Sequence, residues 1–420
     1  NQVVSRRQNV TIAFDDIFYL RPGRITVTDG TTGAPVDIYN LDSYVLSTAN
    51  ATHRRTTDTR RGAYANLRRE FDLGGLPLAL KGGLDVRHAT RDDRQLTPAY
   101  AFVGADGRSS MSPTAAGSDD RAGVVLDEVF SKRVPPYGFQ KFQYTSTQEA
   151  FNLFQDNPNY FTLDQNSTYR SGVTPSKWAE EIVSSAYVRG DLALLNRRLK
   201  LVGGLRAEQT NVNAEGALTD PTLNYQRNAA GQVIRNANGT PALIVPTSNA
   251  LGVSQLTFLE RGLHAKKEYL RWFPSINASF NVRENLVARA SWYTSVGRPN
   301  FNQYAGALVL PDPDLPPATN NRITVANAAI KAWSAQTTKV RLEYYFEGVG
   351  QISVGAFRRE FENFFGSTIF PATPEFLALY DLDPGLYDPF DVSTQHNIAS
   401  TVRMTGLEFD YKQALTFLPP

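Results

Sequence analysis

Residues 273–296 read FPSINASFNVRENLVARASWYTSV, and this stretch decides the fold. Polar and apolar side chains alternate along it, and the apolar positions of its first half are Ile276, Ala278, Phe280 and Val282. The alternation stops at Glu284 and Asn285 and then resumes. Because a period of two places successive side chains on opposite faces of a β-strand, we predict two strands joined by a tight turn, each with one apolar face.

The same alternation recurs in five other stretches of the chain. They are GLPLALKGGLDVRHATRD (75–92), AYVRGDLAL (186–194), LKLVGGLRAEQ (199–209), KVRLEYYFEG (339–348) and GLEFDYK (406–412). In each of them Leu, Val or an aromatic residue alternates with charged residues, and Val202 is the one apolar exception on a charged face. This pattern predicts a set of strands with two chemically different faces.

The connections between these strands also alternate in length. Short turns are predicted at residues 73–77, 194–198, 283–285 and 347–350, and long polar loops at about 92–179, 209–267, 297–336 and 362–401. Structureless connections longer than about 15 residues are uncommon in compact soluble domains. Short turns at one end and long loops at the other are typical of outer-membrane β-barrels.

Composition excludes several classes of protein. Lys and Arg total 43 against 41 Asp and Glu, and a formal charge of +2 gives no reason to expect a nucleic-acid partner. The chain has no cysteine, which excludes disulfides and thiolate zinc sites. Mean hydropathy is −0.33, and no apolar run approaches the roughly 18 residues of a transmembrane helix. A search for long apolar runs does not detect membrane-spanning β-strands, because every second residue in them is polar.

Alternation alone does not separate a membrane barrel from a soluble sandwich, since both have one apolar face. A lipid-facing Arg or Lys costs about 2 to 4 kcal/mol near the midplane, and only His88 and Arg358 interrupt the apolar face, near the outer ends of their strands. Aromatic residues at strand ends suggest interfacial girdles: Tyr269, Trp272, Phe273, Trp292, Tyr293, Phe361, Phe364 and Phe365. We therefore predict bilayer crossings at residues 269–282 and 286–296.

Four longer motifs carry a family resemblance. They are LVGGLRAEQT (201–210), residues 272–301 ending in GRPNF, KVRLEYYFEGVGQISVGAFRREFENFF (339–365) and TGLEFDYKQAL (405–415). In this order they resemble the C-terminal β-barrel of TonB-dependent outer-membrane receptors. The resemblance implies an all-β, antiparallel transmembrane barrel, of which about 10 strands lie in this chain. Where the family often has Asn-Pro-x-Leu-Lys-Pro, residues 327–332 read NAAIKA, and a less rigid loop is expected.

The resemblance also implies a domain organisation and a function. We expect residues 1–420 to be part of a receptor barrel, with the N-terminal plug and the final strands absent from this chain. The implied function is active uptake across the cell outer membrane of a scarce extracellular ligand, such as a chelated metal, a cofactor or an oligosaccharide. The implied partners are outer-membrane lipid, that small ligand, and a TonB-type energy-coupling protein acting through the plug.

Charged residues on the polar faces are the candidate site. By the resemblance they form an inner wall that touches plug and ligand: Asp85, Arg87, Arg189, Asp191, Arg206, Glu208, Arg289, Arg341 and Glu343. The alternative is that these charges pair across neighbouring strands only to line a wet lumen.

No enzyme, metal site or cofactor is predicted. The chain lacks the phosphate-binding, zinc-protease and nucleophile-elbow motifs, and its four histidines are scattered. Asp312 and Asp314 suit a turn better than a calcium site, and the paired aspartates at 92–93 and 119–120 are expected to be solvated. Two rival functions stay open: a soluble, loop-rich β-sheet protein that binds glycans, and a passive porin or adhesin barrel.

Overall fold

The computed structural model describes residues 2–19, 21–72, 74–110, 112–115, 117–326, 332–346 and 350–414. The chain divides into two compact units. The loop unit comprises Asn1–Arg55, Gln95–Gly172 and Thr247–Gln255, and the sheet unit comprises Thr56–Arg94, Val173–Pro246 and Leu256–Pro420. No helix in the described part of the chain is both long and apolar enough to cross a membrane.

Both units contain β-strands. In chain order they are β1 (Gln2–Arg6), β2 (Val10–Phe18), β3 (Arg21–Asp29), β4 (Val45–Asn50), β5 (His53–Asp72), β6 (Pro77–Leu96), β7 (Ala99–Phe102), β8 (Phe161–Leu163), β9 (Lys177–Leu194), β10 (Leu199–Thr219), β11 (Phe258–Arg283), β12 (Leu286–Gly297), β13 (Leu308–Val309), β14 (Ile323–Val325), β15 (Trp333–Phe346), β16 (Gly350–Glu362), β17 (Phe365–Pro371), β18 (Asp391–Asn397) and β19 (Val402–Gln413).

The helices are short and lie between strands. They are α1 (Thr147–Asp156), α2 (Gln165–Val173), α3 (Ala250–Thr257), α4 (Phe301–Tyr304), α5 (Pro374–Leu379) and α6 (Pro384–Tyr387). Single 3-10 turns occur at Leu41–Ser43, Ala122–Val125, Phe130–Lys132, Pro136–Gly138, Pro158–Tyr160 and Pro221–Asn224.

Nine long strands of the sheet unit form one antiparallel meander, in the order β5-β6-β9-β10-β11-β12-β15-β16-β19. The shortest have 12 residues and the longest, β11, has 26. About 9 to 11 residues of tilted strand cross the hydrocarbon core, so every strand of the meander is long enough. The prediction of an all-β antiparallel fold is confirmed, with nine long strands in the described residues where about ten were expected.

The tight turns lie where the sequence predicts them. Between β9 and β10, Leu195, Asn196 and Arg197 all have positive φ, between 52° and 66°. Only Glu284 and Asn285 separate β11 from β12. Residues 347–349 of the predicted fourth turn lie outside the described residues, as do Leu73 and residues 327–331 of the NAAIKA stretch.

The strands extend further into the predicted loops than expected. β11 starts at Phe258, whereas the predicted bilayer crossing starts at residue 269. Its additional residues pair with β10, for example Lys266 with Asn213 and Lys267 with Val212. Their sequence does not alternate strictly because a strand beyond the bilayer no longer needs an apolar face toward lipid.

The long connections of the sheet unit are folded, which corrects the expectation of plain polar loops. A second set of strands runs β17-β18-β14-β13, and β13 pairs in parallel with Leu218 and Thr219 at the end of β10. Ile323, Leu377 and Val392 are fully buried among these segments. A hydrophobic core of this kind fixes the loops to the loop end of the meander.

The loop unit has its own sheet and core. The sheet order is β1-β4-β7-β8, and Ala122 and Val125 are fully buried beside it. Asp120, predicted to be solvated, is only 1% exposed, and it accepts a hydrogen bond from the Ser110 N–H. Burial raises the pKa of the Asp120 carboxyl above its usual value.

Candidate ligand-facing wall

The strand register separates two continuous faces across the meander. Residues directly opposite each other in paired strands share a face. Leu205 of β10 lies opposite Val188 of β9 and Pro274 of β11. The next residue, Arg206, lies opposite Tyr187 and Phe273. We call the side of Leu205 the apolar face and the side of Arg206 the polar face.

The apolar face is uncovered. Leu270 in β11 and Val340 in β15 are interior to the meander, yet each is 51% exposed, and Val188 is 56% exposed. On the polar face, by contrast, Glu343 is only 6% exposed. A soluble β-sandwich has the opposite arrangement, with its apolar side chains packed between layers. A continuous exposed apolar surface is the property of a sheet that faces lipid.

His88 and Arg358, which the sequence predicts to interrupt the apolar face, both lie beside an acidic residue. His88 Nε2 lies 2.8 Å from Glu180 Oε1. Arg358 Nη2 lies 2.5 Å from Glu360 Oε1, which also accepts from Arg403 at 3.1 Å. Pairing lowers the cost of placing charge on a weakly hydrated surface.

A network of charged residues lies on the polar face of β6 and β10 and includes four of the predicted site residues. Asp85 lies 2.7 Å from Arg87 and 3.1 Å from Arg206, and Arg206 lies 2.6 Å from Glu208. Glu208 also pairs with Arg298. Asp85, Arg87, Arg206 and Arg298 border a cavity of about 760 Å³ on this face.

A second network lies on the same face across β12, β15 and β19. Glu343 accepts from Arg289 at 2.9 Å and from the Tyr345 hydroxyl at 2.8 Å, and lies 3.3 Å from Arg341. Arg341 also lies 3.3 Å from Asp410. The groove beside this network has a volume of about 560 Å³.

The remaining predicted pair, Arg189 and Asp191, is joined at 2.6 Å and belongs to neither network. All nine predicted residues therefore lie on the polar face, in three groups. Each acid in these groups has at least one basic partner, so the wall presents alternating, mutually neutralised charges instead of one strong field. Such a wall offers many hydrogen-bonding groups to a polar surface placed against it.

The sequence analysis did not identify Arg298 as a site residue, nor the segment that begins with it. Residues 298–306, here called the strap, follow β12 and fold back onto β9 and β10. Tyr304 is 4% exposed and packs with Ala179 and Val212 of the polar face. The signal was present in the sequence, because Asn300 and Gln303 form a capping box that starts α4.

The strap joins the inner wall to the loop strands. Arg298 reaches Glu208 and, at 4.0 Å, Glu181. Gln303 Nε2 donates to Gln395 of β18 at 3.1 Å. On the polar face next to Val212, the buried Oγ1 of Thr210 has no hydrogen-bond partner in the described residues.

The predicted aromatic girdle is only partly correct. Trp272 and Trp292 lie on the apolar face, opposite Ala207 and Thr338. The register places four others on the polar face: Tyr269, Phe273, Tyr293 and Phe361. A position near a strand end does not determine which face of the sheet a side chain occupies. A shift of one residue along the strand moves the side chain from the lipid-facing side to the lumen side.

Asp312 and Asp314 form a turn that is tied to another loop. Asp312 Oδ1 accepts the Asp314 N–H at 2.9 Å and also the Tyr225 hydroxyl, while Asp314 accepts from Arg235 at 2.8 Å. Burial raises the pKa of Tyr225. In the described part of the chain no group of three or more His, Cys, Asp or Glu side chains is arranged to hold a metal ion.

A strand meander with a lipid-type outer face and a charged inner face defines this chain as part of a membrane β-barrel. The family model for the TonB dependent receptor-like β-barrel matches residues 6–418. The chain therefore belongs to the TonB-dependent receptor family, whose members are outer-membrane receptors and transporters. Its location is the cell outer membrane.

Solved structures of such receptors are similar to this chain. The ferric-catecholate import receptor Fiu from E. coli K12 is 12% identical with a TM-score of 0.43, and the match covers 99% of this chain and 40% of that one. The alcaligin receptor FauA from Bordetella pertussis is 11% identical, with a TM-score of 0.38 and coverages of 93% and 42%. The ferric preacinetobactin receptor BauA from Acinetobacter baumannii is 12% identical, with a TM-score of 0.38 and coverages of 88% and 35%.

The chain thus spans less than half the length of each of these receptors. No curated protein sequence matches the chain.

Proposed function

We propose that this chain is the wall of an active transporter that takes up a scarce extracellular ligand with energy from the inner-membrane TonB complex. The ligand classes are those that the family resemblance implies: a chelated metal, a cofactor or an oligosaccharide. The observation that supports this best is the pairing of an uncovered apolar face with an inner face rich in charged, hydrogen-bonding groups.

In this proposal the polar face receives the plug and the ligand. The networks around Arg206 and Glu343 supply donors and acceptors along the inner wall. Because each acid already has a basic partner, a polar surface can bind there without leaving an isolated buried charge. A receptor wall of this type lets a plug dock firmly and still be released when the coupling protein pulls on it.

Uptake by cells tests the energy requirement. Cells that carry the full-length receptor would be compared with a receptor-deletion strain and with a strain that lacks the TonB protein. Growth would be scored on media in which a ferric chelate, cobalamin or an oligosaccharide is the limiting nutrient. We expect one nutrient to require both the receptor and TonB. Growth that requires the receptor but not TonB would establish a passive porin instead.

The role of the wall is tested separately. In the double variant Arg289→Gln and Glu343→Gln, the pair joined at 2.9 Å becomes neutral, and each side chain keeps an amide group that can form hydrogen bonds. We expect the variant to reach the outer membrane in normal amount and to transport more slowly. Unchanged uptake would show that these charges only line a wet lumen. The matched control is Arg358→Gln, on the apolar face.

A further inference from the structure

The loop unit contains a cavity of about 360 Å³ that is separate from the charged wall. It lies among β1, β4, β7, β8 and α1, which all belong to this unit. Its floor is formed by Ala150 and Phe161, which are 3% and 8% exposed and belong to the core of the unit. The floor is therefore rigid and does not depend on a mobile loop.

Aromatic rings form the wall and the mouth of the cavity. The ring centroids of Tyr100 and Phe154 lie 5.2 Å apart, and those of Phe154 and Phe161 lie 5.4 Å apart, with interplanar angles of 55° and 77°. Phe151 of α1 lines the same cavity and is 53% exposed. An exposed ring beside a concave apolar surface marks a binding site, because a ligand there removes both surfaces from water.

The lining carries no Asp, Glu, Lys or Arg, although 20% of the residues in the chain are of these types. A charged ligand would lose its hydration in this cavity and find no counter-charge. The cavity therefore suits an uncharged ligand, in contrast to the wall of the sheet unit.

A few polar groups lie at the edge of the cavity. The Tyr100 hydroxyl, the His53 imidazole and the Thr147 hydroxyl line it and make no hydrogen bond to another described residue. Each is free to bond a hydroxyl or carbonyl group of a ligand. Apolar walls with a small number of unengaged polar groups are the usual composition of a small-molecule site.

We propose that this cavity binds an uncharged aromatic ring that bears a hydroxyl or carbonyl group. Aromatic side chains on the floor, wall and mouth allow both stacked and edge-to-face contacts with such a ring. A sugar fits less well, since hydroxyls around its ring would meet Phe154 and Phe161 without a partner. The site goes beyond the proposed uptake function, and binding to it requires neither TonB nor a plug.

The test uses the detergent-solubilised full-length receptor and three compounds. They are 2-naphthol, which is neutral, 2-naphthoate, which has the same rings and a carboxylate, and methyl β-glucoside. Affinity is measured by equilibrium dialysis with empty micelles as reference. We expect saturable binding of 2-naphthol only. Phe151→Ser should weaken it by about threefold to tenfold, the range expected for one aromatic contact.

Two further variants keep the result interpretable. Tyr100→Phe retains the ring and removes only the hydroxyl, and should weaken binding by about twofold to tenfold. Phe18→Ser changes an aromatic residue that is 75% exposed and outside the cavity, and should have no effect. Equal weakening by Phe18→Ser and Phe151→Ser, equal binding of 2-naphthoate, or preferred binding of the glucoside would each overturn the proposal.

Discussion

Adjacent residues of β10 face opposite environments, so substitutions at Leu205 and Arg206 should have very different effects. Leu205 lies six residues from the start of the strand at Leu199. Six residues at about 3.3 Å each, tilted by about 40°, raise it roughly 15 Å from the turn end, which is near the middle of a hydrocarbon core of about 30 Å. Leu205→Arg therefore places a cation near the midplane and should destabilise the folded barrel by about 2 to 4 kcal/mol.

Arg206→Leu should be much milder. Asp85 retains Arg87 at 2.7 Å, and Glu208 retains Arg298. Since both carboxylates keep a basic partner, we expect a cost of about 1 kcal/mol or less, similar to that of an exposed ion pair.

The assay is a urea titration of the full-length receptor folded into phospholipid vesicles, with folding followed by the gel mobility of unheated samples. The two variants should differ by roughly fivefold or more in the folding equilibrium constant. Equal losses of stability, or a larger loss for Arg206→Leu, would refute the assignment of the apolar face to lipid.

Three further predictions concern Gly297, Arg298 and Asp29. Gly297→Ala should destabilise the barrel by about 1 to 3 kcal/mol in the same urea titration, because its new Cβ would overlap the Trp333 ring. Arg298→Gln should loosen the strap, so a cysteine introduced as Tyr304→Cys should react faster with a maleimide in this cysteine-free chain. The turn after Asp29 should lose protection from hydrogen exchange as the pH falls from about 4 to about 2, since three hydrogen bonds from backbone N–H groups and Arg7 depress the pKa of Asp29 to about 2.

The sign of the pH effect follows from the direction of the pKa shift. A carboxyl whose pKa is lower in the folded state than its ordinary value of 3.8 stabilises the fold above that value and loses this contribution as it becomes protonated. In Asp29→Asn the change in protection between pH 4 and pH 2 should disappear, and its persistence would show that another group is responsible.

Each of the other two predictions has a matched control. Gly190→Ala is the control for Gly297→Ala, because the nearest atom to its new Cβ is Leu80 Cδ2 at an ordinary 3.6 Å. Arg403→Gln removes a pair outside the strap and should leave the maleimide reaction unchanged. A reaction rate that does not respond to Arg298→Gln would mean that this ion pair does not hold the strap.

The sequence by itself determined the strands, their two faces and the tight turns. These features are local, because a period of two and a short polar turn are encoded within 10 to 20 neighbouring residues. It also placed all nine candidate residues on the polar face. It gave the wrong face for residues such as Phe273, where the alternation near a strand end is ambiguous, and it missed the additional length of β11 beyond the predicted crossing.

Only the tertiary structure decided which charged residues form ion pairs and which substructures the loop segments form. Arg206 and Asp85 are 121 positions apart, and Arg298 and Glu208 are 90 apart, so no local pattern encodes these pairs. The strap, the buried Asp120 and the aromatic cavity of the loop unit likewise depend on segments that are distant in sequence. Such contacts are selected by packing and by compensation of charge after the strands are in register, which is why the wall could be predicted as a surface but not as a set of partners.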